Sequence, residues 1–250
     1  MYALTYERRR LTGIRSTWLV LLAVLLVDAA IAALTVRQPA LAQPVRVLTA
    51  GVPLLPLPLA AIGAGAVGAL AYGHEVRYPA LRPLLLPARR RFRLLLAKLT
   101  VVGVFSALFA AATLGLDAGV YAIVLHRAPA VGPALIGFAA LVVTGGWIGL
   151  LAAGVLRSAA AGMLVLLVVP VLVEPAVTAL RGGLTRHGAP LARLHALWPV
   201  GRHRAWLYGQ LSGLHDTASL STRGLALLLA APVLMLLLGY LVLLPRRRGV

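Results

Sequence analysis

The chain has 250 residues, of which 61% are hydrophobic and 12% charged, and a formal net charge of +18. Soluble domains carry about a quarter charged residues, so a mean hydropathy of +0.94 excludes an ordinary soluble domain and leaves a single membrane domain with short appendages over residues 1–250. The cations sit at the ends of apolar stretches, where anionic lipid headgroups explain them better than nucleic acid. The absence of cysteine excludes disulfides and thiolate metal sites.

In chain order, MYALTYERRRLTGIRST opens with an amphipathic, Arg-rich segment. Residues 1–15, with Glu7, Arg8 and Arg15, are expected as a helix lying in the membrane interface. Six apolar stretches of about the 20 residues needed to cross hydrocarbon follow: Ser16–Val36, Val47–Tyr72, Leu94–Gly119, Val131–Leu156, Ser158–Ala179 and Gly224–Leu244. The first is too long for a signal-peptide core and reads as a span that stays. In the second, Pro53, Pro56 and Pro58 remove backbone donors, so regular helix is expected only from near Leu57.

With both termini in the cytoplasm, 15 of the 24 cations fall on the cytoplasmic side, and six of the other nine lie in one long segment where the positive-inside rule is weak. Between the second and third spans, EVRYPALRPLLLPARRRFRLLLAK, residues 75–98, carries seven cations, three prolines and one carboxylate, six of the cations lying in the cytoplasmic connection, residues 74–93. Leu84, Leu85 and Leu86 beside Arg89, Arg90 and Arg91 fit a short amphipathic element. On the residues alone, that element is either a positive-inside anchor or a docking site for a cytoplasmic protein. Residues 180–222 mix Trp198, Trp206 and Tyr208 with arginine and histidine, and are expected as short helices at the outer surface. The spacing of His187, His195, His203 and His215 matches no closed zinc pattern, so no metal is expected.

Acids inside spans are costly and usually functional. Asp28 lies deep in the first span, Asp117 near the outer end of the third and Glu174 in the outer part of the fifth; each fits either a structural ion pair or hydrogen bond, or a substrate or proton role. Ala64 with Gly68 and Gly145 with Gly149 are spaced for close helix packing, within the chain or between subunits. No glycine-rich phosphate loop precedes the only lysine, Lys98, so the chain is not itself an ATPase. The six scattered acids argue against a lipid-modifying membrane enzyme, while a stand-alone immunity or sensor protein stays open as an alternative.

The order of these pieces resembles the permease subunit of ABC-2 type transporters: ERRRLTGIRSTW at the start, an acid closing the second span, Pro followed by Arg, a lysine opening the third span, LWPVGRHRAW outside and LGYLVLLPRRRGV at the end. The resemblance covers essentially the whole chain, although Pro79 and Ala80 stand where many relatives have Gly-Thr. It implies an all-α integral membrane protein with six transmembrane helices, an N-terminal interfacial helix, a cytoplasmic coupling element after the second span and short outer helices between the fifth and sixth. It further implies an exporter of amphipathic substrates, multi-pass in the cytoplasmic membrane, that works as a homodimer or heterodimer of permeases. A separate ABC ATP-binding subunit would bind ATP and Mg, this chain holding no cofactor, and would dock on Glu75, Arg77, Arg82, Arg89, Arg90 and Arg91.

Overall fold

The computed structural model describes residues 2–37, 47–48, 57–77, 88–127, 134–168, 230 and 233–243. Their regular elements are all α-helical: α1 Tyr2–Gly13, α2 Arg15–Val36, α3 Leu59–Arg77, α4 Ala88–Leu125, α5 Ala134–Leu156, α6 Ala159–Val168 and α7 Val233–Leu243. Three of these helices are long and apolar enough to cross a membrane, over Arg15–Val36, Phe92–Leu125 and Ile136–Leu156. They turn Leu19, Leu22, Leu26, Leu108, Ile123 and Ile136 outward, a surface that suits lipid rather than water.

The remaining expected spans are met in part. Helix α3 begins at Leu59, two residues from the expected start, with Pro58 at its N-terminal boundary: the backbone N–H groups of Ala61 and Ile62 both donate to the Pro58 carbonyl. Its apolar part, Leu59–Gly73, is shorter than a full span, as is α7. The fifth span is represented by α6, and residues 169–179 lie outside the described residues. The third span is longer than expected, since α4 continues past Gly119 to Leu125. Thirty-eight residues at about 1.5 Å each make α4 about 57 Å long, well beyond a hydrocarbon core of about 30 Å.

Two parallel helix pairs form the body. In the first, α3 and α5 run side by side and parallel, with Gly145 against Ala61, Gly149 against the Gly65 carbonyl and Gly68 against the Gly146 carbonyl. A Cβ at Gly68 or Gly149 would overlap partner backbone, so glycine is what lets these helices touch. Thus the small residues at 68, 145 and 149 serve packing within the chain. In the second pair, α2 lies along α4: the Trp18 and Phe105 rings meet edge to face, centroids 6.3 Å apart, and Ala32 and Val36 of α2 share an apolar cluster with Tyr121 of α4 near the other end.

The pairs join through the indole of Trp147 on α5, which donates to the Leu99 carbonyl of α4 at 2.8 Å and packs on Gly103. Burial grades accordingly: 61% of the best apolar window of α5 is inside the protein, against 22% of that of α2, so α5 is central and α2 peripheral. Arg157, with φ of 55°, closes α5 in the left-handed conformation. The Ser158 hydroxyl then caps α6 by accepting from the Ala161 N–H at 3.3 Å, which folds α6 back against α5 and α3, with Gly162 on Ala153 and Leu166 on Gly65.

Candidate functional site

The described residues bury two groups of charged side chains, both on the inner face of α4 and at opposite ends of the α2–α4 pair. The first begins in α1. After Gly13, Ile14 takes an extended conformation (φ −89°, ψ 113°), and this breaks α1 from α2 so that the chain turns. The Trp18 indole donates back to the Thr12 carbonyl at 2.7 Å, which fixes the corner. The turn lays α1 against α4 with Glu7 and Leu11, one helical turn apart, facing inward.

Glu7 is only 2% exposed, and Lys98 of α4 only 7%. Lys98 Nζ lies 3.3 Å from Glu7 Oε1, and Arg10 Nη1 lies 3.5 Å from the same oxygen. Arg10 also donates through Nη2 to the Ala71 carbonyl of α3 at 2.9 Å. One carboxylate therefore ties α1 to α4 directly and, through Arg10, to the end of α3. A buried carboxylate left unpaired costs several kcal/mol, and two cations with a shared hydrogen-bond acceptor offset that cost here. The sequence reading named Glu7 as an interfacial residue and missed both partners. The available signal was the lone acid in ERRR together with the lone lysine just inside an apolar helix.

Arg8 on α1 is exposed, and so is Arg15, which the structure makes the first residue of α2 and not part of the N-terminal helix. Of the proposed docking residues, Glu75 and Arg77 belong to the last turn of α3 while Arg89, Arg90 and Arg91 belong to the first turn of α4. The expected connection of residues 74–93 is thus shortened at both ends by helix. Arg82 lies outside the described residues, as do Glu174 and residues 180–222.

The second group joins Asp28 of α2 to Asp117 of α4. The two side chains are neighbours across the α2–α4 contact, and the residues are 1% and 0% exposed. Asp28 Oδ2 and both Asp117 oxygens find no hydrogen-bond partner among the described residues. Read singly in the sequence, each acid looked like half of a separate interaction; the parallel register of α2 and α4 brings them together. No group of three or more His, Asp or Glu side chains suited to a metal occurs among the described residues.

The described residues form an all-helical body in which three helices are long and apolar enough to cross a membrane, with a charged lock between the N-terminal helix and the interior. No family model, curated protein or solved structure matches the chain.

Proposed function

We propose that the chain is the membrane-spanning subunit of an ATP-driven ABC-2 type exporter in the cytoplasmic membrane, acting as a dimer with itself or a related permease. The observation that carries this reading is the Glu7–Arg10–Lys98 lock. It fastens α1 to the two helices, α3 and α4, whose connection holds the basic element. A push received at residues 74–93 from an ATP-binding subunit would move the ends of α3 and α4, and the lock makes α1 move with them. Because α3 is in backbone contact with α5 and α4 is bound to it through Trp147, the displacement reaches the centre of the bundle as a rigid-body shift rather than being absorbed locally.

In this reading both termini are cytoplasmic, and six spans surround a passage shared by two permeases. ATP and Mg stay on the partner subunit. The substrate is amphipathic, such as a drug-like natural product, a lipid or a hydrophobic peptide, because the spans offer apolar surface with few polar groups. The test is purification of the tagged protein from its own membrane in mild detergent, with identification of every chain that accompanies it. A stoichiometric ATP-binding chain supports the reading, and its loss from the Arg89→Ala/Arg90→Ala/Arg91→Ala variant assigns the docking. Recovery with no nucleotide-binding chain and no ATP-dependent transport overturns the reading.

A further inference from the structure

The lock on α4 accounts for Lys98 but leaves Asp117, about 28 Å further along the same helix, without a role. Asp28 sits about 20 Å into α2 from Arg15, so the two carboxyls meet deep in the spanning region, toward the Val36 end. Both are closed to solvent, and three of their four oxygens lack a donor among the described residues. Two adjacent carboxylates closed to bulk solvent repel each other and lose the hydration that would sustain two charges. Packing the pair as closely as α2 and α4 do requires something positive between them.

The space also limits what that can be. Trp18 meets Phe105 edge to face on one side of the acids, and Val36 and Tyr121 share one apolar cluster on the other. Among the described residues no group of three or more acids and histidines suits a metal, and the Thr113 hydroxyl, one turn below Asp117, is given to the Ala110 carbonyl at 2.9 Å. A metal ion needs several oxygen ligands, whereas a proton needs two.

We propose that Asp28 and Asp117 form a single proton-binding site within the membrane, in which one proton is shared between the two carboxyls and replaces one of their two negative charges. The proton comes from water, binds one carboxylate oxygen as O–H and donates to the facing carboxylate. The pair then carries one negative charge instead of two, and a carboxylic acid–carboxylate hydrogen bond joins α2 to α4. Parting the helices breaks that bond and frees the proton, so the site links helix separation to proton release. The proposal is independent of the exporter reading.

The test is infrared spectroscopy of the full chain reconstituted in lipid at pH 7, with and without carbon-13 aspartate. The chain has three aspartates and three glutamates, so the isotope separates the two types. The expected result is one protonated-carboxyl band per chain that shifts with labelled aspartate and is lost in both Asp28→Asn and Asp117→Asn. Absence of any such band overturns the proposal, and dependence of the chain's thermal stability on sodium or potassium would then assign the site to a metal cation. A band equal to two protons, or one that persists in either variant, overturns sharing as well. Should the variants not fold, the labelled wild-type band alone decides, since one proton per chain supports the site and none or two refutes it.

Discussion

Glu7 stands in an N-terminal segment whose arginines point to the membrane surface, yet the folded chain turns this acid inward onto Lys98. The residue-scale expectation is strong coupling between the two. Replacing Lys98 with Met leaves Glu7 with Arg10 alone, and we expect a loss of about 1–3 kcal/mol for the missing charged hydrogen bond. A double-mutant cycle of Glu7→Gln and Lys98→Met, followed by denaturation in detergent, should return a coupling of about 0.5–3 kcal/mol. Additive effects would show that the contact contributes nothing to stability. Arg8→Ala, which alters an exposed side chain, should change stability by less than about 0.5 kcal/mol. Sequence reasoning found Asp28 and Asp117 because charges in apolar spans stand out, and Glu7 as part of an Arg-rich interfacial segment. It could not pair them, because a partner on another helix depends on the register in which helices pack.

At the scale of the elements, the α3–α5 crossing is the most sensitive contact. Gly149→Val places a branched side chain against the Gly65 carbonyl, which cannot yield without moving α3. Overpacking of this kind typically costs about 1–3 kcal/mol, and here it also strains the Gly68 contact one turn away. Gly115→Ala on α4 is the matching control, since a Cβ there meets nothing within 4 Å, and better helix propensity should leave it neutral or slightly stabilising. Thermal unfolding of the two variants in the same detergent checks the contrast; equal midpoints would show that the crossing tolerates bulk. The spacing of Gly145 and Gly149 was legible as a packing signal in the sequence. Its partner helix was not, since small residues also stand at equivalent spacings on α3.

For the molecule as a whole, helix direction carries the topology. Arg10 reaches the end of α3 at Ala71, and Ala159 at the start of α6 packs on Gly73, so the α1 corner and the α5–α6 turn share one end of the bundle. Val36 and Tyr121 share the other, and Arg37 and Arg127 follow them. The chain has no cysteine, which allows each position to be read with one introduced thiol. Thiols at Thr12 and Arg157, both exposed, should label from one side of intact cells or vesicles, and thiols at Arg37 and Arg127 from the other. Labelling of Thr12 and Arg37 from the same side would mean that α2 does not cross. If the exporter reading holds, the first pair faces the cytoplasm.

The sequence by itself determined that this is a helical membrane protein, and roughly where its helices lie. Apolar runs of spanning length have no other stable state in lipid, where backbone polar groups must bond within their own segment. It also set roughly where α3 starts, because Pro58, which has no N–H to donate, is tolerated at the start of a helix and not in its interior. Tertiary structure alone decided which helices are neighbours: α2 beside α4, α3 against α5, and α1 folded back onto both α3 and α4. Those choices rest on complementary surfaces far apart in the chain, such as a glycine facing a carbonyl or a lysine facing a carboxylate, and no local pattern specifies them. The lock at Glu7 and the carboxyl pair at Asp28 and Asp117 are products of that packing, and so is whatever motion they govern.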